Sequence, residues 1–252
     1  MTKGESSLRP QCTVGKEGSL SGTGLHTGLA VSLTIKPAPP GTGIVFQRTD
    51  ADGLPLIRAD VSSIMETRRS TTLGRNGVQV KTVEHLLAAI WALGLDNVSI
   101  HLDGPEVPAF DGSALTFVET LLELGVKHQD IGVMTHTLSS PLCLALDDAY
   151  ILALPTDGGL SFTYVAEFPH PLIGMQRFDL MLDPECFARE IAPARTFGFL
   201  EEVQELYAND LARGASLQNR MQIRWDANRG SQNQPQSQCR VRKKSCGTIK
   251  TG

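Results

Sequence analysis

The sequence predicts an α+β protein of two similar domains, each a β-sheet layered with helices. Two observations carry that prediction. Strand-like alternation and helix-like periodicity recur in two cycles, residues 1–126 and 130–219, and the polar stretch Lys127 to Gly132 separates them. At 252 residues and 41% hydrophobic content, the chain is long and apolar enough for one large domain or two of ordinary size.

In chain order, residues 30–35 alternate as a half-buried strand. Pro37, Pro39, Pro40 and Gly41 end it before a second apolar run at residues 44–46, which predicts a strand pair joined by a Pro-rich loop. Val83, Leu86, Leu87, Ile90 and Trp91 follow helical spacing, and Ala88, Ala89, Ala92 and Leu93 fill the other faces. That pattern predicts a helix buried all round, with Thr82 as its N-cap. Residues 97–103 alternate again as a strand. The Gly104-Pro105 and Asp111-Gly112 turns then lead to Ser113, an N-cap for a helix that buries Phe117, Val118, Leu121 and Leu122 and stops at Gly125. In the second cycle, residues 142–146, 150–154 and 160–168 read as strands, with a turn at Asp147-Asp148. Asp183-Pro184 opens a short helix with Pro at its first position.

The net charge of −4 hides an asymmetry, because residues 220–252 hold eight Lys or Arg against the single acid Asp226. This Gln-, Asn-, Ser- and Arg-rich stretch lacks an apolar period and predicts a disordered basic tail. It matches no nucleic-acid-binding module, so no nucleic-acid partner is expected. Five scattered cysteines without a C-x-x-C pair point to a reducing, cytoplasmic setting. No signal peptide is legible, and the apolar run of residues 86–95 is too short for a transmembrane segment, which needs about 20 residues.

Glu84 and His85 are the two polar side chains that interrupt the apolar helix, both in its first turn. The positive end of the helix dipole favours a carboxylate there and a neutral imidazole, the form that binds metal. Two readings of the pair stand at this point: dipole complementation beside a packed histidine, or a base beside a metal ligand.

The motifs of residues 22–28 (G-T-G-L-H-T-G), 47–50 (Q-R-T-D), 82–89 (T-V-E-H-L-L-A-A), 94–97 (G-L-D-N), 103–114 (D-G-P-E-V-P-A-F-D-G-S-A) and 194–199 (A-R-T-F-G-F) occur in one order from about Thr13 to Ser216. Together they resemble the UDP-3-O-acyl-N-acetylglucosamine deacetylases, zinc hydrolases of lipid A biosynthesis. The resemblance implies two layered domains with the active site between them, and an acylated UDP-N-acetylglucosamine as substrate. It implies zinc as cofactor with His85 as a ligand, Glu84 as the general base that activates water, and Thr196 as a stabiliser of the oxyanion. It also implies that Phe197, Phe199, Val203 and Ala212 line an apolar passage for the acyl chain, and that Phe168 contacts the uracil ring; a strand-end core phenylalanine is the alternative for Phe168. Ser113 is not expected to be a nucleophile, because a G-x-S-x-G elbow is absent and a capping role is available to it.

The sequence departs from the family at residues 214–220, which read G-A-S-L-Q-N-R where the family has G-G-S-L-D-N-A. Neither H-K-x-x-D nor K-x-G-H follows, and no histidine lies beyond Asn219. One of three expected zinc ligands is therefore present, and the second domain is expected to be incomplete. The expected consequence is a very poor deacetylase whose last residues come from a truncated or frameshifted reading frame. The alternatives are a non-catalytic binder of acylated sugar nucleotides, or an unstable product.

Overall fold

Alternating burial along two strands organises the first part of the molecule. The computed structural model describes residues 7–135, 137–170, 173–209 and 211–223. Its first elements are β1 (Ser7–Val14), β2 (Gly18–Thr23), β3 (Ala30–Pro37), β4 (Ile44–Arg48), β5 (Leu56–Arg58), β6 (Ile64–Glu66), β7 (Thr72–Arg75), β8 (Val78–Val80), α1 (Glu84–Ala92), β9 (Val98–Leu102), α2 (Leu115–Leu124) and β10 (Val126–Thr135). Val31, Leu33 and Ile35 of β3 and Val98, Ile100 and Leu102 of β9 are all buried. The antiparallel register sets Leu33 opposite Leu102 and Ile35 opposite Ile100, so these side chains share a face.

Five strands form the main sheet in the order β2-β3-β9-β4-β5, with β4 and β9 parallel and the other pairs antiparallel. Leu86, Ala89 and Ile90 of α1 and Phe117, Val118 and Leu121 of α2 join the sheet residues in one core cluster. Burial of each such large side chain contributes roughly 1.5–3 kcal/mol. The fold is thus α+β, with a sheet layered by helices. No helix among the described residues is long and apolar enough to cross a membrane.

Several expectations are corrected here. The strands flanking the Pro-rich loop do not pair, because β9 lies between β3 and β4. Helix α1 is not buried all round: the sheet and α2 cover one side, and Trp91 is 55% exposed, its ring edge-on to Phe162 at 6.2 Å. Leu122 likewise points outward from α2. The stretch 127–132, predicted as a polar link, is the middle of β10, which pairs antiparallel with β1 and carries a bulge opposite Pro10 and Gln11. A run of polar residues suits an exposed two-stranded ribbon as well as a linker, and the sequence did not separate the two.

The second part comprises β11 (Leu142–Leu146), β12 (Ala149–Ala153), β13 (Ser161–Glu167), β14 (Met175–Met181), α3 (Pro184–Cys186), β15 (Phe197–Phe199), α4 (Val203–Ala208) and β16 (Met221–Ile223). The two-residue turn Asp147-Asp148 closes the β11–β12 hairpin, with Asp147 at a φ of 51°. Asp183 caps α3 by accepting the Cys186 N–H at 2.7 Å, with Pro184 at the first position, as the sequence predicts. A π-helical turn follows, and Phe187 and Ala192 join the main core, where Ala114 N–H donates to the Ala192 carbonyl at 3.0 Å. Strand β16 pairs in parallel with β15, so ordered chain continues through residues 221–223, past Arg220 where the tail was expected to begin. The rest of that expected tail, residues 224–252, lies outside the described residues.

The packing sets up a contrast in stability. Ile100→Ala empties a site in the core and should cost about 2–5 kcal/mol in urea unfolding, whereas Ile151→Ala on the exposed β12 should change it by less than about 0.5 kcal/mol. Equal losses at the two positions would contradict this placement of the core.

Candidate active site

The site is built outward from one buried carboxylate. Glu106 is only 1% exposed and follows Pro105, whose carbonyl accepts the Lys81 N–H at 2.9 Å, while Val107 N–H returns to the Lys81 carbonyl at 3.0 Å. An acid in such a place is costly unless every oxygen lone pair finds a donor. His26 N–H approaches both oxygens at 2.9 and 3.1 Å, Thr27 donates its N–H and its hydroxyl to Oε2 at 2.7 Å each, and the Thr82 hydroxyl donates to Oε1 at 2.8 Å. The loop of residues 22–28 therefore wraps the carboxylate. A Cβ on Gly24 would meet Glu106 Oε2 at 2.4 Å, so only glycine fits there, and Gly28 takes a φ of 69° to close the turn.

This arrangement corrects the role given to Thr82. Its φ is 57° and its hydroxyl is committed to Glu106, so the residue before the helix is Val83, which provides no side-chain cap. Glu84 opens α1 and accepts the Thr71 N–H at 3.0 Å, and Val83 N–H donates to the Thr71 carbonyl at 3.3 Å. His85, one residue further, lines a small cavity together with Thr82, Gly112, Ser113, Phe117 and Thr196. Two predicted site residues 111 positions apart, His85 and Thr196, thus share one cavity.

Thr196 is held by its backbone, donating to the Gly112 carbonyl at 2.8 Å and accepting from Met221 N–H at 3.1 Å. Its neighbour Arg195 donates to the carbonyls of Asp111, Leu217 and Gln218, stapling the turn at Asp111-Gly112 to residues 217–218. Sequence reasoning assigned no role to Arg195 or Glu106. For Glu106 a signal existed, as the single charged residue in the stretch 104–110. Ser113 donates to Asp111 Oδ1 at 2.7 Å and accepts the Leu115 N–H at 3.2 Å, a helix-start role as expected, although Ala114 holds the cap position.

Phe168, Phe197 and Phe199 gather in one aromatic cluster, with centroid distances of 5.4, 6.3 and 6.0 Å, and buried His170 lies against Phe199 at 5.7 Å. Val203 begins α4. Buried Ala212 donates its N–H to His26 Nδ1 at 3.4 Å, so the structure seats it against the loop of residues 22–28. That bond leaves the imidazole proton on Nε2.

Among the described residues, no three His, Cys, Asp or Glu side chains converge as a metal site. Catalytic zinc normally takes three protein ligands and keeps one position open. His85 brings one donor to a cavity otherwise lined by hydroxyl, backbone and apolar groups, so the described donor set does not fit zinc.

Glu84 and His85 are consecutive at the start of α1, and Thr196 lines the same cavity as His85. The sequence profile of LpxC, UDP-3-O-acyl N-acetylglycosamine deacetylase, matches residues 11–240, and the chain belongs to this family of enzymes. It is 45% identical over 209 residues to the UDP-3-O-acyl-N-acetylglucosamine deacetylase of Oleidesulfovibrio alaskensis, covering 83% of this chain and 68% of that protein. The proteins of the same name from Myxococcus xanthus and Bdellovibrio bacteriovorus are 44% and 39% identical, with 83% of this chain and 66% and 69% of theirs covered.

Two measurements check this geometry. Glu106→Gln turns an acceptor-only group into one that presents an N–H₂ to other donors, and should destabilise the chain by about 3 kcal/mol in urea unfolding; an unchanged midpoint would refute the arrangement. Burial pushes the His26 imidazole below its ordinary value, against the opposing pull of Glu106 and Glu84. Half-buried His101 is pushed the same way by burial and by Lys36. The unfolded chain therefore binds the extra protons first, so stability is full above about pH 6.5 and falls as pH drops below it. His26→Gln should remove part of that slope in thermal unfolding followed from pH 7.5 to 5.5.

Proposed function

We propose that this chain carries the substrate-binding half of a UDP-3-O-acyl-N-acetylglucosamine deacetylase site and, as written, has very little deacetylase activity. The observation that supports this reading most strongly is the cavity shared by His85 and Thr196, with Glu84 on the same helical turn. Removing the acetyl group as acetate requires water to lose a proton while an oxyanion forms. Glu84 is the base in this proposal and Thr196 the oxyanion donor, a kind of contact whose loss can slow a reaction by about 10² or more. In the family, zinc would polarise the amide. With His85 as the one donor in the described site, no step is assigned to zinc here.

The aromatic cluster of Phe168, Phe197 and Phe199 favours a second reading, a non-catalytic binder of acylated sugar nucleotides. In both readings Phe168 contacts uracil, while Phe197, Phe199, Val203 and Ala212 form the acyl passage. Each buried methylene of the chain would contribute about 0.8 kcal/mol. A cytoplasmic setting completes the proposal, supported by the cysteine pattern.

Dialysis against chelator-free buffer, metal analysis, an acetate-release assay and calorimetry with a hydrolysis-resistant substrate analogue separate these readings. The proposal expects much less than one zinc per chain, acetate release at background, and measurable analogue binding that weakens in Phe168→Ala. Stoichiometric zinc together with acetate release that is lost in Glu84→Gln would show a working enzyme. Absence of both zinc and analogue binding would leave neither reading standing.

A further inference from the structure

The turn between β6 and β7 carries two adjacent arginines, and both reach the segment that leads into α4. Arg69 forks onto Glu202, its two terminal nitrogens donating to the two carboxylate oxygens at 3.0 and 3.1 Å, and Arg68 donates to Glu205 Oε1 at 3.1 Å. Glu202 ends the 3₁₀ turn Leu200–Glu202 and Glu205 lies in α4, three positions on, so the two acids are spaced as neighbours on a helical surface.

The turn is shaped to present its arginines. Glu66 accepts the N–H groups of Thr67 and Arg68 at 3.0 and 2.8 Å, and Arg69 takes a φ of 67°, a left-handed backbone that a bulky side chain rarely adopts. Strain of this kind persists only where the surroundings over-determine it. Thr71 then fastens the other end of the turn to α1, donating its N–H to Glu84 Oε2 at 3.0 Å and accepting the Val83 N–H at 3.3 Å. One short stretch of chain thus holds α4 by its arginines and Glu84 by its backbone.

We propose that Arg68 and Arg69 are positioning residues: through Glu205 and Glu202 they latch α4 to the turn that holds Glu84, so that a shift of α4 moves Glu84. Exposure sets the strength of the latch. The side chains of Arg68 and Glu205 are 67% and 60% exposed and those of Arg69 and Glu202 are 40% and 29% exposed. Pairs this open to water are weak one by one and are screened by salt, so the latch opens readily. The fork between Arg69 and Glu202 is the stronger of the two, because a planar guanidinium matches both carboxylate oxygens where an ammonium cannot. That α4 borders a ligand passage rests on the proposed function; the coupling of α4 to Glu84 does not.

The test follows amide exchange by NMR in the full, ligand-free chain at Thr71, across α4 and at Ile100 in the core. Glu202→Arg should speed exchange at Thr71 and in α4 by about 2- to 5-fold, the range set by one exposed ion pair, and Arg69→Lys should give a smaller change in the same direction. Raising salt from about 20 to about 500 mM should loosen both places in the unaltered chain, since screening lengths shrink several-fold over that range. Arg69→Glu combined with Glu202→Arg restores opposite charges and should bring exchange back towards the original rates, with Ile100 unchanged throughout. The inference is overturned if α4 loosens while Thr71 does not, if neither responds, or if the charge-swapped pair fails to rescue. No ligand enters the measurement, so a failure to bind the substrate analogue would count against the proposed function and leave this result standing.

Discussion

Everything around the site depends on keeping a carboxylate out of water. Glu106 accepts hydrogen bonds from three residues that are distant in sequence, and each of them has a conformation set by doing so. His26 and Thr27 bend the loop of residues 22–28 around it, and Thr82 takes a left-handed backbone to reach it. Because Thr82 is fixed, α1 starts at Glu84, and because α1 starts there, Glu84 and His85 occupy its first turn. The chain from 212 to 214 then closes on the same loop, with Arg213 and Gly214 donating to the carbonyls of His26 and Leu25. One buried acid thus joins three of the family's motifs into a single rigid unit.

The parts of this that were legible in sequence are those governed by local periodicity. Strands β3 and β9, helices α1 and α2, the stop at Gly125 and the Asp183 cap all follow from alternation, helical spacing and cap chemistry over a few residues. What could not be read was set by distant partners. Thr82 has the chemistry of an N-cap, but a buried acid 24 residues away competes for its hydroxyl and wins, since a bond to a carboxylate is roughly twice as strong as a neutral one. Trp91 fits the apolar stripe of α1 but falls on the side that neither the sheet nor α2 covers. Strand order was equally hidden, because nothing in residues 30–46 says that β9 will insert between them.

The candidate site divides along the same line. His85, Glu84 and Thr196 were identified from the family resemblance, and the structure places His85 and Thr196 on one cavity. Glu106 and Arg195 act through hydrogen bonds to backbone and hydroxyl groups of other motifs, and that role leaves no periodic trace in sequence. Packing is unequal as well: the first unit closes a five-stranded sheet with two helices, whereas the β11–β12 hairpin of the second leaves Leu144, Leu146, Tyr150 and Ile151 exposed.

The central claim is that the Glu106 contact sets the start of α1 and through it the position of Glu84. Thr82→Val removes the hydroxyl donor while keeping the shape of the side chain. Amide exchange measured by NMR should then speed up at His26 and Thr27, and also at Thr71, whose N–H reaches Glu84 rather than Glu106. Faster exchange at all three amides is the predicted result. Faster exchange at His26 and Thr27 with Thr71 unchanged would show that the helix start is held by something other than the buried carboxylate.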